Sequence, residues 1–208
     1  GYLPAEGVGA VLLKPFGDAL RDGDRVLAVI KGSLANHAGH SAGYAVPNAD
    51  AQVRLLEDAF QSAGVDPSTI GYAEVAANGT QVGDAIELRA LGRVYADRPG
   101  EEPLAVGSVK SNIGHAEAAS GLAQLTKVLL QFERRELFPS FGTSASETGE
   151  LLQGTPFAPQ TVLAPWSAPF AGGKALPRRA TVSSFGAGGS RRIFTRPSAL
   201  RPSRRSEV

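Results

Sequence analysis

Two side chains suited to stabilising negative charge stand close together in the segment VKSNIGHAEAASG, residues 109–121. Lys110 and His115 are five residues apart on a predicted glycine-punctuated loop that leads into a helix of small residues. If both face one pocket, the cation, the imidazole and the positive end of the helix dipole favour developing negative charge. The alternative is a helix cap with a solvent-facing lysine. Both interpretations fit the spacing.

A second candidate loop follows the predicted strand Ile70–Val75 and reads AANGTQVGDAIE. Gly79 and Gly83 lie in this loop, and Asp84 lies near the start of the next predicted helix. Ligands of open α/β sheets bind outside the carboxyl ends of the strands, which makes the loop a candidate binding element. The alternative is that Asp84 is a helix N-cap and that the glycines only allow a tight turn.

Two further loops are rich in glycine. Residues 180–190, ATVSSFGAGGS, predict a strand followed by a turn whose backbone amides can approach a ligand. Residues 37–48 are predicted to form a loop, with His37 and His40 three apart. A histidine pair on such a loop is more often solvated than metal-bound, so we expect no metal site there.

The remaining pattern predicts an α/β protein. A buried strand is expected in VGAVLL, residues 8–13, then a short helix stopped by Gly23, then a strand in RVLAVIKGSLAN. Strand, helix and strand in succession favour parallel pairing. A further helix is expected over residues 50–63, with Val53, Leu56 and Phe60 facing the core and Gly64 ending it.

The second half of the chain is less regular. LAVGSVK predicts a strand, and the helix that follows the Lys110 loop is expected to end near Arg135. Residues 139–179 are rich in Pro, Gly, Ser and Thr and predict either a functional surface loop or a partly ordered connector. Residues 191–208 lack periodicity and are predicted to be a disordered, arginine-rich tail.

Composition limits the possible functions. The 208 residues suffice for one good-sized domain, and zero cysteines exclude disulfides and a cysteine nucleophile in this chain. No apolar run approaches a membrane span, so we expect a cytoplasmic protein without membrane contact. The net charge is +1, but the last 18 residues hold six arginines and one glutamate, which leaves −4 on the preceding 190. Nucleic-acid binding by that tail has no other support in the sequence.

Five motifs in a fixed order resemble one known family. The chain closely resembles the C-terminal half of a ketosynthase (β-ketoacyl synthase) domain of a modular, type I polyketide synthase over roughly residues 1–190. The matching segments are GYLPAEGVGAVLLKP, IKGSLANHAG, YAEVAANGTQVGDAIE, VGSVKSNIGHAEAASGLAQLTKVLL and RRATVSSFGAGGS. Each motif is weak alone, and their common order makes the resemblance specific.

The resemblance implies a thiolase-like fold, of which this chain would be the C-terminal half of a two-half α-β-α-β-α sandwich. Residues 1–26 would then end the N-terminal half, and residues 27–190 would form the C-terminal half. It also implies acyl thioester substrates, presented on the phosphopantetheine arm of an acyl carrier protein, with no bound cofactor or metal. The expected partners are this carrier protein, the N-terminal ketosynthase half and, for the complete domain, a second copy.

The resemblance assigns roles to individual residues. Lys110 and His115 match the family's catalytic lysine and one of its two catalytic histidines, while Ala76 stands at the position of the other histidine. The family's nucleophilic cysteine lies upstream of GYLPAEG, outside this chain. The remaining matched positions are assigned to substrate binding or structure: Asn112, Gly79, Thr80, Asp84, Phe185, Gly186, Ala187 and Gly188.

Loss of the first histidine has a chemical consequence. Decarboxylative condensation builds an enolate, and removing one oxyanion donor costs roughly 100- to 1000-fold in rate. The pattern therefore resembles the non-elongating ketosynthases of trans-acyltransferase systems, which pass an acyl chain on without extending it. The alternative function is a non-catalytic docking module for a carrier protein or a complementary half-domain. Either way, we expect the fragment alone to be inactive and to expose an apolar face.

Overall fold

The computed structural model describes residues 1–39, 46–98, 102–141, 152–171, 173–185 and 190–195. The helices are α1 Phe16–Arg21, α2 Ala49–Ala63, α3 Gln81–Val94, α4 Lys110–Ile113 and α5 Ser120–Arg134. The strands are β1 Val29–Leu34, β2 Tyr72–Glu74, β3 Leu104–Gly107, β4 Glu136–Leu137, β5 Phe157–Pro159, β6 Ala164–Pro165, β7 Phe170–Ala171, β8 Lys174–Ala175, β9 Arg179–Ser184 and β10 Ser190–Thr195.

A six-stranded mixed sheet organises the fold, with the order β1-β10-β9-β2-β3-β5. Strands β9, β2, β3 and β5 run parallel, whereas β10 pairs antiparallel with both β9 and β1. All three residues of β2 are buried, as expected of a parallel strand covered on both faces. The carboxyl ends of β2, β3 and β9 therefore meet at one edge of the sheet.

Helices α2 and α3 cover one face of the sheet. The side chain of Asn48 caps α2 by accepting the Ala51 N–H at 3.1 Å, and Gly64 ends the helix in the left-handed conformation. The helical prediction for residues 50–63 is confirmed, and Val53, Leu56 and Phe60 are buried. Tyr95, at the end of α3, packs edge-on against Phe60 at a centroid distance of 5.9 Å.

Helix α5 covers the opposite face. Its Val128 and Phe132 are fully buried, and the Phe132 ring stacks on Trp166 with a centroid distance of 4.9 Å. The outward side of α5 is open, because Leu130 is 43% exposed. One sheet with a helical layer on each face is the architecture predicted for half of the sandwich.

The strand predicted at residues 8–13 is wrong. These residues form no strand, and Val8 and Leu12 are 100% and 96% exposed. No strand in the described part of the chain pairs with this segment, so its backbone has no ladder to join. The parallel unit expected from it is wrong too, because β1 pairs antiparallel with β10.

The predicted tail boundary at residue 191 is also wrong. Ser190–Thr195 forms β10, which lies between β9 and β1 in the sheet. Backbone pairing on both sides stabilises this strand although its sequence, SRRIFT, has no regular apolar alternation. Residues 196–208 lie outside the described residues.

Residues 139–179 contain more regular structure than predicted. The described part of this segment includes β5, which extends the central sheet beyond β3, and the short strands β6, β7 and β8. Phe157 of β5 is buried in the core beside Leu104. The strands are only two or three residues long, which is too short for periodicity to reveal them.

Candidate active site

A cavity of about 680 Å³ opens at the carboxyl ends of β2 and β3. Its walls come from the first four residues, the loop after β2, the start of α3 and the turn that holds α4. Among the predicted site residues, Gly79, Asp84, Lys110 and Asn112 line it. The sheet topology thus brings the two candidate loops together, as expected at the carboxyl edge of parallel strands.

Lys110 begins α4 and turns its amine back toward the end of β2. Its Nζ donates to the Ala76 carbonyl oxygen at 2.6 Å. Partial burial lowers the pKa of the Lys110 amine, and the nearby carboxylates of Glu87, Glu74 and Asp84 oppose this shift. The lysine therefore acts as a fixed donor at the residue-76 position.

Ala76 is buried, and its backbone is held on both sides. Glu87 of α3 accepts the Ala76 N–H at 2.9 Å and the Ala77 N–H at 3.0 Å. Ala77 has φ of 33°, an unusual value for a residue with a side chain. Glu87 and Lys110 thus fix the peptide of residue 76, while its side chain is only a methyl group.

His115 lies on the turn between α4 and α5. Its Nδ1 accepts the Glu117 N–H at 3.0 Å and lies 3.3 Å from the Ser120 hydroxyl. Glu117 adopts φ of 46° to point its N–H at the ring. Because Nδ1 is an acceptor, the neutral imidazole carries its proton on Nε2 and can donate from there.

Lys110 lines the cavity, whereas His115 is not among the described residues that line it. The Tyr2 ring, which lines the cavity, packs on the imidazole at a centroid distance of 4.6 Å. The backbone N–H of His115 donates to the Leu3 carbonyl at 2.8 Å. Tyr2 and Leu3 therefore contact His115 at one wall of the cavity.

Asp84 lines the cavity, and it is not the N-cap of α3. Thr80 is the N-cap of α3, and Asp84 lies four residues later, so the N-cap interpretation is wrong. Its carboxylate accepts the Gly79 N–H at 3.1 Å and closes the loop after β2. Burial raises the pKa of Asp84, and hydrogen bonds from the Gly79, Thr80 and Asn78 amides oppose the shift.

Of the remaining residues that the resemblance assigns to substrate binding or structure, the structure describes Asn112 and Phe185. Asn112 donates from Nδ2 to the Pro139 carbonyl at 3.0 Å and so ties α4 to the chain after β4. Phe185 is half-buried and directly follows β9. Gly186, Ala187, Gly188 and His40 lie outside the described residues.

Three charged residues that were not predicted from the sequence hold the backbone around the site: Glu74, Glu87 and Lys127. Glu87 holds the residue-76 loop, and Glu74 forms a buried ion pair with Lys127 at 3.1 Å. Two of them were detectable as charges inside an apolar pattern: Glu74 in the buried strand segment IGYAEV and Lys127 on the inward side of α5. Burial raises the pKa of Glu74, and the Lys127 charge and hydrogen bonds oppose the rise.

Gln124 connects the two strands that carry candidate loops. Its Nε2 donates to the Val75 carbonyl at 3.0 Å and to the Ser183 carbonyl at 2.8 Å, and the residue is fully buried. These carbonyls precede Ala76 on one strand and Phe185 on the other. Gln124 thus sets the spacing between the residue-76 loop and the chain that leads to the glycine-rich turn.

The described residues contain no cluster of histidine and carboxylate ligands able to hold a metal ion. They also contain no helix long and apolar enough to cross a membrane. The groups gathered here are a lysine amine, an imidazole that can donate from Nε2, and three carboxylates. The amine and the imidazole N–H can polarise a carbonyl oxygen and stabilise an oxyanion formed there, whereas the carboxylates accept backbone N–H groups and hold the loops.

The fold and these motifs define the family. Residues 27–144 match the model of the β-ketoacyl synthase C-terminal domain. The chain belongs to this family, with a thiolase-like fold, and corresponds to the C-terminal part of a polyketide synthase ketosynthase domain.

Curated relatives and solved structures agree. The chain is 46% identical to polyketide synthase PksL of Bacillus subtilis (strain 168), and the match covers 91% of this chain and 4% of that protein. Its identity to polyketide synthase ThaQ of Burkholderia thailandensis is 45%, over 91% of this chain and 9% of that protein. The chain therefore spans a small part of the curated relatives it matches.

Among solved structures, the ketosynthase domain OzmH KS7 of the oxazolomycin pathway of Streptomyces albus JA3453 has a TM-score of 0.91 and 44% identity. That match covers all of this chain and 37% of the other. The ketosynthase from module 6 of the bacillaene synthase of Bacillus subtilis 168 has a TM-score of 0.78 and 38% identity, over 89% and 33% of the two chains.

Proposed function

We propose that this chain supplies the electrostatic part of a ketosynthase site that transfers acyl groups between thiol carriers without extending them. The substrate class is an acyl thioester on the phosphopantetheine arm of an acyl carrier protein. One observation carries the proposal. A methyl group stands at residue 76, where the elongating family motif has an imidazole, and Glu87 and Lys110 fix the backbone on either side of it.

Transacylation needs one oxyanion at a time. A cysteine thiolate, supplied by the complementary N-terminal half, attacks the thioester carbonyl carbon, and a new carbon–sulfur bond forms. The tetrahedral oxyanion then collapses, the bond to the phosphopantetheine sulfur breaks, and that thiolate leaves and takes up a proton. The reverse sequence delivers the acyl group to a second carrier thiol. We assign the oxyanion donor to the His115 Nε2–H, which the thioester would approach beside the Tyr2 ring that packs on the imidazole.

Elongation makes a further demand on the site. Loss of CO2 from a malonyl thioester leaves an enolate, whose charge the family stabilises with donors from two histidines. Here one of the two positions is Ala76, which cannot donate from its side chain. Lys110 already directs one of its three N–H donors at the Ala76 carbonyl, at 2.6 Å.

The test uses the complete domain, assembled from this chain and an N-terminal half that bears the cysteine. Mass spectrometry should detect acylation of the cysteine by an acyl carrier protein thioester. Release of ¹⁴CO2 from malonyl carrier protein should stay at background. Ala76→His should raise CO2 release by roughly 100- to 1000-fold, because it restores an enolate donor.

Two controls make this result specific. Ala77→His places an imidazole one residue away and should not raise CO2 release. His115→Ala in the Ala76→His background should lower it again. An unsubstituted domain that releases CO2 and extends its acyl chain would refute the proposed function.

Exposed apolar side chains support the need for a partner half. Val8, Leu12 and Leu13 are exposed near one end, and Ile113 and Leu130 are exposed on α4 and α5. Apolar surface of this kind marks an interaction site more often than a free surface. The N-terminal half, which would bring the nucleophile, is the partner that we propose for this face.

A further inference from the structure

We propose that the buried ion pair of Glu74 and Lys127 positions Lys110 by fixing the two backbone amides that precede it. Glu74 lies on β2, two residues before Ala76, and Lys127 lies on α5. Both are almost completely buried, with side-chain exposures of 0% and 6%. The inference rests on the proposed function only for the role of Lys110.

Glu74 binds the turn between β3 and α4 directly, and Lys127 is linked to that turn through Ser140. The Glu74 Oε1 accepts the Val109 N–H at 2.5 Å. The Lys127 Nζ lies 3.4 Å from the Ser140 hydroxyl oxygen, and that oxygen accepts the Ser108 N–H at 3.1 Å. The amides of residues 108 and 109 are therefore both held by groups linked to the ion pair.

Tyr72 and Gly107 complete the arrangement. The Tyr72 hydroxyl donates to Glu74 Oε2 at 2.6 Å, so that both carboxylate oxygens have a hydrogen-bond donor. A Cβ at residue 107 would lie 2.6 Å from this hydroxyl and 2.7 Å from the Ser140 oxygen. Only a glycine lets β3 pass this close to the polar groups.

Stability alone does not account for this network. A buried ion pair loses much of its attraction to desolvation, and apolar residues of similar volume often replace one without loss of stability. The ion pair acts on the position of Lys110 in particular. Lys110 directly follows the two held amides, and its Nζ donates to the Ala76 carbonyl oxygen at 2.6 Å. Glu74 is thus a positioning residue for Lys110.

The experiment uses the full chain labelled with ¹³C at lysine Cε. The chain has five lysines, and a Lys110→Arg variant assigns the Lys110 signal. The double variant Glu74→Leu/Lys127→Met removes both charges without leaving one unpaired. We expect its urea midpoint to fall, because the buried Tyr72 hydroxyl and the Val109 N–H lose their acceptor. The Lys110 signal and its titration should move toward those of an exposed lysine, which a loss of stability alone does not produce in the folded state.

Amide hydrogen exchange gives a second readout. In the double variant the Val109 amide loses its acceptor and should exchange about tenfold faster or more, relative to amides in α2. Thr126→Ala, on the exposed side of α5, is the matched control and should change neither readout.

A second variant keeps the test decisive if the double variant does not fold. Val109 has φ of −61°, which proline adopts, so Val109→Pro deletes the N–H that Glu74 accepts. We expect the same change in the Lys110 signal. An unchanged Lys110 titration in Val109→Pro overturns the inference. Absence of acyl transfer with an intact Lys110 signature would instead count against the proposed function.

Discussion

At Lys110, burial and the neighbouring charges shift the pKa of the amine in opposite directions. The apolar surroundings disfavour its ammonium form, and carboxylates on β2 and α3 favour it. Its hydrogen bond to the Ala76 carbonyl fixes the amine against the loop that carries the altered motif position. The protonation of this one side chain is therefore linked to the folding of the site.

The lowered pKa of Lys110 predicts a pH-dependent stability with a definite sign. Between the folded-state pKa and the ordinary value of 10.5, the unfolded chain binds more protons, so stability rises with pH in that window. Lys110→Met should remove this rise. Urea unfolding followed by Trp166 fluorescence from about pH 8 to about pH 11 measures it.

Lys31→Met, at an exposed lysine of β1, is the control for this measurement and should leave the rise in place. The prediction is wrong if Lys110→Met and Lys31→Met give the same pH profile.

At the scale of elements, the turn from α4 to α5 joins the first residues to the site. Gly114 has φ of 83°, and the adjacent His115 N–H donates to the Leu3 carbonyl at 2.8 Å. A Cβ at residue 114 would lie 2.9 Å from both the Leu3 oxygen and the Ala5 Cβ. The turn therefore needs glycine for its conformation and for the close approach of residues 3–5.

Gly114→Ala should lower the free energy of unfolding by about 2 to 3 kcal/mol, because backbone strain and steric overlap act together. Gly154→Ala is a matched control: φ is 72°, but no atom lies within 4 Å of the added Cβ. It should cost about 1 to 2 kcal/mol from backbone strain alone. Equal losses in urea unfolding would show that the contact with residues 3–5 is unimportant.

At the scale of the whole molecule, one side of the structure is apolar and uncovered. Residues 8–13 lie in the open as coil, and Val8 and Leu12 are 100% and 96% exposed. Side chains this exposed add little to the stability of the chain that carries them. Their contribution is expected in association, where the same surface is removed from water.

Val8→Ser/Leu12→Ser should therefore change the free energy of unfolding by less than about 0.5 kcal/mol for each site. The same substitutions should reduce self-association in sedimentation velocity and weaken assembly with an N-terminal half. Val162→Ser, at an exposed apolar residue outside the segment, should leave association unchanged. If the control and the double variant associate equally, residues 8–13 are not part of the interface.

The sequence by itself determined helices α1, α2, α3 and α5, strands β1, β2, β3 and β9, the family and the positions of Lys110, His115 and Ala76. Local signals suffice for these features. They did not reveal α4, because a loop was predicted there. The period of Val53, Leu56 and Phe60 and the stop at Gly64 specify α2, and motif order specifies the family.

Only the tertiary structure decided what those residues contact. Which strands become neighbours depends on pairing between distant segments, so β10, β5 and the exposed state of residues 8–13 could not be predicted from local pattern. The same applies to the hydrogen bond of Lys110 to Ala76, which spans 34 residues. The distant partners of Glu74, Val109 before α4 and Lys127 on α5, are likewise brought together only by the assembled sheet and helices.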